Sequence, residues 1–256
     1  MHRMDAEISV SSLRVRPFSQ ALVKALAKSG AQTVTLAPEA GSERLRQTIN
    51  KCVTEGDIIE AVDKISKLGI RQVKLYFMIG LPTETDADID ELIKLTLNLK
   101  ARIQETITRI AITVEPFIPK AGTPFQWLAM APEDVLNERV NRIKNALARR
   151  GIEVKAESVG WSLVQGVLAR GDAKLGEALA KMQRNSLAAW RRALVECDLS
   201  ASHYAHRELP LDEPLAWSVV DSGISSDYLK KELDKARHSM ESPPCPPAEC
   251  RKCGVC

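Results

Sequence analysis

Residues 33–45 read TVTLAPEAGSERL, an apolar run followed by a proline and then by a turn of small and charged residues. The apolar run predicts a buried β-strand, and the polar residues after it predict the start of a helix. Two explanations of the turn are open. Ser42 and Glu43 suit a helix cap and a first-turn acid, which the helix dipole favours. Alternatively the turn is a ligand site, with Glu39 at the mouth of the strand and its carboxylate able to accept hydrogen bonds from a diol.

Strand-like and helix-like segments alternate on both sides of this stretch. Strands are predicted at residues 7–13, 32–37, 71–79 and 109–115, and helices at 17–29, 43–50, 54–68 and 85–103. Capping boxes are predicted where Thr54 precedes Asp57 and where Thr85 precedes Asp88. The run RQVKLYFMI at 71–79 is too apolar to alternate, which predicts a strand covered on both faces.

This alternation predicts an α/β fold of parallel strands joined by right-handed crossovers, either a doubly wound sheet or a (β/α) barrel. Three loops rich in glycine, proline and polar residues leave strands at their carboxyl ends: APEAGSER at 37–44, GLPTET at 80–85 and PFIPKAGTPF at 116–125. Ligands of such folds bind at that edge. The three loops therefore predict one site on one rim.

The pattern changes after residue 128. Residues 129–242 read as a mainly helical extension, with helices predicted at 132–150, 173–197 and 225–238 and a further strand at 152–158. Residues 243–256 form a cysteine-rich tail. His203 and His206 are spaced as H-x-x-H without an intervening glutamate, and we interpret them as ordinary polar positions.

Composition limits the classes of function. The formal charge of +3 is too small to indicate nucleic acid by itself, and no apolar run approaches the length of a membrane span. The first ten residues carry no secretion signal, so a cytoplasmic protein is expected. No P-loop, G-x-S-x-G or G-x-G-x-x-G motif occurs, which argues against phosphoryl transfer, serine hydrolysis and a nicotinamide fold.

The tail carries a potential metal site. Cys245, Cys250, Cys253 and Cys256 are spaced C-x4-C-x2-C-x2-C. Short spacings allow neighbouring thiolates to bind one ion, and soft sulfur ligands suit zinc or an iron–sulfur cluster. The tail thus predicts a metal site, and the alternative is an oxidisable segment without metal.

Two long runs resemble a known family. TLAPEAGSERLRQTINKCVTEGDI at 35–58 and KLYFMIGLPTETDADI at 74–89 closely resemble the radical S-adenosylmethionine (SAM) enzymes, and most of all the subset with an upstream cobalamin-binding domain. The resemblance continues through PKAGTPFQW, LARGDAKLGEAL and WSVVDSGISSDYLKKEL to the terminal CGVC, so it covers nearly the whole chain.

The resemblance implies the C-terminal half of a TIM-like barrel in which SAM lies across the strand ends. By motif position, Glu39 matches the residue that contacts the SAM ribose, and Ser42 and Lys51 match positions near the methionine carboxylate. Residues 76–80 match a strand and glycine turn near the adenosine, and residues 112–114 match a strand near the adenine. The cofactor-binding residues implied in this way are Glu39, Gly41, Ser42, Lys51, Tyr76, Gly80 and Ile112.

The chain departs from this family in one respect. Radical SAM chemistry uses a CxxxCxxC loop whose three thiolates hold a [4Fe–4S] cluster, and no such motif occurs in the 256 residues. The chain is expected to begin at the third strand of the barrel, with the cluster, and any cobalamin, supplied by an upstream half or a separate subunit. Alone it is expected not to cleave SAM, and its cut sheet edge predicts either poor solubility or obligatory association with a partner.

Two other functions are open. The chain could be a non-catalytic remnant or subunit that binds zinc and a protein partner through its tail. It could also be an unrelated (β/α)-barrel enzyme that uses Glu39 and Glu115 as acid and base, which requires the two carboxylates to lie close together at the barrel mouth.

Overall fold

A computed structural model describes residues 10–246, 250 and 252–255. These residues fall into two compact units. The sheet unit comprises the described residues up to Ile79, then Glu84–Glu115 and Arg139–Ala156. The helical unit comprises Gly80–Thr83, Pro116–Glu138 and the described residues from Glu157 onward. The predicted domain boundaries at residues 128 and 242 stay predictions.

The strands are β1 (Thr33–Glu39), β2 (Gln72–Ile79), β3 (Arg109–Pro116) and β4 (Glu153–Ala156). The helices up to residue 148 are α1 (Gln20–Lys28), α2 (Glu43–Thr48), α3 (Glu55–Ser66), α4 (Asp86–Arg102) and α5 (Glu133–Ala148). The later helices are α6 (Val159–Arg170), α7 (Leu175–Lys181), α8 (Leu187–Glu196), α9 (Ala201–Ala205) and α10 (Ser226–Arg237). None of the helices in the described part of the chain has the length and apolar character needed to cross a membrane.

The four strands form one parallel sheet in the order β1-β2-β3-β4. Strands that are adjacent in both sequence and space, with helices between them, confirm the predicted α/β class. This arrangement is consistent with part of a (β/α) barrel. Of the strand predicted at 7–13, residues 7–9 lie outside the described residues, and the rest contributes a single parallel bridge from Leu13 to Leu36.

The two faces of β2 differ in burial. Val73, Leu75, Phe77 and Ile79 are at most 1% exposed, whereas the residues between them are half-buried. The prediction that this strand is covered on both faces was therefore wrong. Lys74, Tyr76 and Met78 are long side chains that can lie along a partly open face, so apolar composition did not require full burial.

Both predicted capping boxes form. The Thr54 side chain accepts from the backbone of Asp57 at the start of α3, and the Asp57 carboxylate accepts from the Thr54 backbone. At the start of α4 the Asp88 carboxylate accepts from the backbone N–H and the hydroxyl of Thr85, and the Asp88 N–H donates to the Thr85 carbonyl. The helix predicted at 173–197 is instead two helices, α7 and α8, because Ser186 caps the start of α8 and ends the continuous helical path.

The helical unit has its own core. One hydrophobic cluster of this unit joins the 3₁₀ turn at Pro124–Trp127 to α10. The buried members are Trp127, Leu128, Leu209, Leu229 and Leu233. Trp217 packs against this cluster and donates from its indole nitrogen to Oε1 of Gln126 at 2.8 Å. This contact fixes the position of the Trp217 ring.

Candidate functional site

The carboxyl end of β1 is irregular. Leu36 pairs with Leu75, but Glu39 pairs with Phe77, so β1 carries one more residue than β2 across this interval. Glu39 also has a φ of 69°, in the left-handed region that non-glycine residues rarely adopt. Such bulges turn a strand end and its side chain out of the regular ladder, and they are frequent next to binding sites. The register shift and the positive φ therefore place Glu39 outside the regular hydrogen-bonding pattern of β1.

Glu39 is paired with Lys51. The Lys51 ammonium lies 2.9 Å from Oε1 of Glu39, and the two side chains are 32% and 26% exposed. Lys51 follows α2, where its backbone N–H donates to the carbonyl of Arg46. Asn50 and Cys52 on either side of it have φ values of 54° and 45°. The structure thus brings together two predicted site residues, twelve positions apart, as a partly open pair of opposite charges.

Ser42 has a different environment from Glu39. Its side chain is only 2% exposed, its oxygen accepts from the backbone N–H of Leu45, and its hydroxyl donates to Oδ1 of Asp88 at 2.6 Å. These contacts make Ser42 the N-cap of α2 and join it to α4. Its predicted role near the methionine carboxylate stays a prediction.

Asp88 is the acceptor at the centre of this region. It is 5% exposed and accepts hydrogen bonds from Ser42, from the backbone and hydroxyl of Thr85, and from Arg44. Burial alone would raise the pKa of the Asp88 carboxyl, but the hydrogen bonds from Ser42, Thr85 and Arg44 outweigh it and lower that pKa. Asp88 is therefore a fixed anion that ties the turn after β1 to the start of α4.

Arg46 holds the same turn from the other side. It is 1% exposed and donates to the carbonyls of Ala40, Gly41 and Val53. Burial lowers the pKa of Arg46 from its ordinary value, against the opposing effect of Glu43. These bonds satisfy backbone carbonyls of an irregular segment that has no strand partner.

Gly41 lies against α4. A Cβ built on Gly41 would lie 2.2 Å from Cα of Leu92, so no larger residue fits without a movement of the backbone. Gly41 thus allows the close approach of the turn to α4, and its predicted contact with SAM stays a prediction.

The remaining predicted residues lie farther along the sheet. Tyr76 is half-buried on β2, with the Lys74 ammonium 5.3 Å from its ring centroid, and Ile112 is 1% exposed on β3. Gly80 belongs to the helical unit and has a φ of 75°, and a Cβ there would lie 2.7 Å from Leu136. No described hydrogen bond or ion pair joins Tyr76 to Glu39. The roles of these three residues stay predictions.

The sequence did not predict that Arg46 belongs to this region, and for Asp88 it predicted only a role in a capping box. The capping box was a usable signal for Asp88, because it placed the carboxylate at the start of α4. Nothing in the local sequence indicates that Arg46, on a short polar helix, is buried.

Three of the tail cysteines, Cys245, Cys250 and Cys253, lie beside α10. The carbonyl of Cys253 accepts from the backbone N–H of Ser225 at 2.7 Å. Cys245, Cys250 and Cys253 line a cavity of about 100 Å³ that Tyr228 and Glu232 also line. Burial, and then the charges of Glu232 and Cys253, raise the pKa of Tyr228. Over the described residues no set of three or more His, Cys, Asp or Glu side chains is placed to hold a metal ion, and Cys256 lies outside those residues.

A known protein family matches a part of the sequence that includes much of the sheet unit. Residues 2–96 match the radical SAM superfamily. This radical SAM segment includes β1, β2 and most of α4, and hence Glu39, Lys51 and Asp88. Residue 112 and the tail cysteines lie beyond it.

Several curated proteins are similar to this chain over part of their length. An uncharacterized protein of Methanocaldococcus jannaschii is 42% identical over 177 residues, 69% of this chain and 38% of the relative. A tRNA-2-methylthio-N(6)-dimethylallyladenosine synthase of Pelotomaculum thermopropionicum is 28% identical over 165 residues, 63% of this chain and 35% of the relative. An uncharacterized methyltransferase of Pyrococcus horikoshii is 33% identical over 89 residues, 35% of this chain and 19% of the relative. The chain thus spans less than two fifths of the length of these relatives.

Proposed function

We propose that the chain forms part of a radical SAM iron–sulfur protein and binds SAM at the carboxyl end of β1. The observation that carries the proposal is the Glu39–Lys51 pair, which lies partly open to solvent at an irregular strand end within the radical SAM segment. The carboxyl ends of parallel strands are the edge at which ligands of such folds bind.

The two charged groups fit the polar ends of SAM. A carboxylate can accept both hydrogen bonds of a ribose diol, and an ammonium can donate to the carboxylate of the methionine moiety. SAM would then replace the direct bond between Glu39 and Lys51 with two bonds to itself. Ser42, Asp88 and Arg46 would act indirectly, because their contacts hold the turn in position.

The residues of this chain do not fit the reductive [4Fe–4S] cluster. The sequence has no CxxxCxxC motif, and the lone Cys52 next to Lys51 cannot supply three thiolates. We therefore propose that the cluster comes from a segment or subunit outside these 256 residues, and that any cobalamin does so too. When bound, the cluster supplies the electron that cleaves SAM, and we assign no part of that step to this chain.

The names of the relatives support group transfer as the reaction of the full system. Two of them are called a methylthio synthase and a methyltransferase. We accordingly propose the transfer of a methyl or methylthio group. The formal charge of +3 gives no independent support for a nucleic-acid substrate.

The test is a calorimetric titration with SAM, on the chain alone and on the chain joined to a CxxxCxxC-bearing segment. Lys51→Met is expected to weaken SAM binding about tenfold or more, because a charge-assisted hydrogen bond is lost. Lys64→Met is the matched control, because Lys64 is a surface lysine of α3 that pairs with Glu60. Equal affinities for the two variants, or no SAM binding even with the added segment, would refute the proposal.

A second proposal concerns the tail. The support is that three cysteines line one cavity, although their side chains, over the described residues, are not placed around one ion. We propose that they bind zinc or an iron–sulfur cluster as thiolates, with Cys256 as the fourth ligand by its spacing in the sequence. Metal analysis of the purified protein is expected to find one zinc or cluster per chain, lost in Cys253→Ser and kept in Cys52→Ser. If neither the wild type nor Cys52→Ser contains metal, the proposed tail metal site is refuted. The alternative of a zinc-binding, non-catalytic subunit would then lose its support as well.

The acid–base barrel enzyme has less support. The described partner of Glu39 is the Lys51 ammonium, whereas that mechanism requires a second carboxylate nearby. Glu115 is exposed at the end of β3, and no described contact joins it to Glu39.

A further inference from the structure

A second cavity lies wholly within the helical unit. It has a volume of about 300 Å³, near the lower limit for small-molecule sites. Its lining includes two arginines, Arg170 and Arg207, together with Asp172, Tyr204 and Trp217. These residues come from four separate segments, namely the end of α6, the loop after it, α9 with its following loop, and the 3₁₀ turn at Ala216–Val219.

Arg170 is a buried cation that has no carboxylate partner among the described residues. Its side chain belongs to a residue only 5% exposed, and it donates to the carbonyls of Ala205 at 2.9 Å and of Arg207 at 2.6 Å. The Nε atom is buried and has no hydrogen-bond partner. Buried charges in proteins are normally paired, because removal of a charge from water is costly.

The hydrogen bonds to these two carbonyls account for the position of the Arg170 side chain, but they leave its positive charge without a counter-charge. Ala205 ends α9, and an arginine at a helix carboxyl end caps its last carbonyls. Those carbonyls carry partial charges only, so they do not neutralise a guanidinium. Burial, reinforced by the nearby charge of Arg207, lowers the pKa of Arg170, and Glu213 only partly offsets this.

Two acids, Asp172 and Glu213, also line the cavity, and both already accept hydrogen bonds from other lining residues. Glu213 is held by two parallel hydrogen bonds from Arg207, each 2.8 Å long. Asp172 is exposed and accepts from the Tyr204 hydroxyl at 3.1 Å. The Nε atom of Arg207 is also buried without a partner. Two residues that line one cavity thus each keep an unused N–H donor.

We propose that this cavity binds the phosphate group of a small phosphorylated ligand. Arg170 and Arg207 each keep one N–H without a partner, and a phosphate oxyanion would supply the negative counter-charge that Arg170 lacks. Trp217, held in place by Gln126, offers an aromatic surface to the rest of such a ligand. This site lies in a different unit from the proposed SAM site and does not depend on it.

The experiment is a calorimetric titration of the full chain at low salt with inorganic phosphate, adenosine 5′-monophosphate and adenosine. Arg170→Met is expected to weaken binding of both phosphate-containing probes about tenfold or more. Arg192→Met is the matched control, because it removes one positive charge from the exposed face of α8 in the same unit, and it is expected to change affinity less than about twofold.

A second variant, which is expected to strengthen phosphate binding, keeps the proposal testable if Arg170→Met does not fold. Glu213→Gln removes the carboxylate that occupies Arg207 and is expected to tighten phosphate binding about threefold. Adenosine is expected to give no signal that depends on Arg170, and adenosine 5′-monophosphate to bind more tightly than phosphate if the cavity accepts the nucleoside. If Arg170→Met does not fold, Glu213→Gln decides the question.

Three results would overturn the proposal. The first is no binding of phosphate or adenosine 5′-monophosphate by the wild type. The second is equal affinity of Arg170→Met and Arg192→Met for both probes. The third is a Glu213→Gln affinity no higher than that of the wild type.

Discussion

At the scale of single residues, Asp88 shows how one buried carboxylate can hold together the segments around the proposed SAM site. Its oxygens receive hydrogen bonds from Ser42 on one segment and from Thr85 on another, and Arg44 adds a charged donor. A buried carboxylate is stable only when such bonds replace its lost hydration. The position of the proposed site thus depends on a residue that need not touch the ligand.

Asp88→Asn is expected to lower the free energy of unfolding by about 3 kcal/mol, because the buried anion is lost and an amide donor must sit among existing donors. Asp90→Asn on the same helix is the control. Asp90 is exposed and pairs with Arg142, so its loss should cost at most about 1 kcal/mol. Urea unfolding followed by circular dichroism measures both, and equal effects would contradict the role assigned to Asp88.

The same residue predicts a dependence on pH. Because its hydrogen bonds lower the pKa of Asp88 in the folded state, the ionised carboxylate stabilises the fold above its unfolded-state pKa, about 4. That contribution disappears as the pH falls through the lower, folded-state value. The difference in unfolding free energy between wild type and Asp88→Asn should therefore be constant from about pH 7 to pH 5 and shrink below about pH 4. A constant difference down to about pH 2 would show that the carboxylate charge is not what stabilises this region.

At the scale of elements, the contact between α4 and the turn after β1 requires a residue without a side chain, which is Gly41. Gly41 fits against the backbone of Leu92 with no room for a Cβ. Local propensity does not reveal this, because glycine in a turn is usually explained by conformational freedom. The close approach is a property of two elements 51 positions apart in the sequence, from Gly41 to Leu92.

Gly41→Ala is expected to destabilise the sheet unit by about 2–3 kcal/mol, because the added methyl overlaps the α4 backbone. Gly56→Ala is the matched control. A Cβ at Gly56 would meet only Oγ1 of Thr54 at 3.7 Å, and alanine in a helix is favoured by about 0.5 kcal/mol or more. Thermal unfolding of the two variants should move the transition in opposite directions. A Gly41→Ala protein as stable as the wild type would show that the contact is looser than described.

At the scale of the whole molecule, the two units carry different candidate chemistry. The sheet unit includes most of the described radical SAM segment and the Glu39–Lys51 pair, and the helical unit carries the cysteine tail and the cavity around Arg170. A chain without CxxxCxxC that spans less than two fifths of its relatives is expected to need further polypeptide for radical chemistry.

The purified chain, after reconstitution with iron and sulfide and reduction, is expected to form no 5′-deoxyadenosine from SAM. The reason is that three thiolates in the CxxxCxxC arrangement are required to leave one iron open for SAM, and they are absent from the sequence. Chromatography of the reaction mixture measures the product. Its formation by this chain alone, and its loss in Cys253→Ser, would instead assign the reductive cluster to the tail.

The sequence by itself determined the α/β class, the positions of most strands and helices, and the pairings of Thr54 with Asp57 and of Thr85 with Asp88. These features depend on neighbours within a few residues, through side-chain periodicity and local hydrogen bonds. Only the tertiary structure decided that Lys51 pairs with Glu39 and that Ser42 donates to Asp88. It also decided that Arg46 and Arg170 are buried, and that one face of β2 is buried while the other is half-buried. Burial and pairing of this kind arise when distant segments exclude water from one another, so no short window of sequence contains them.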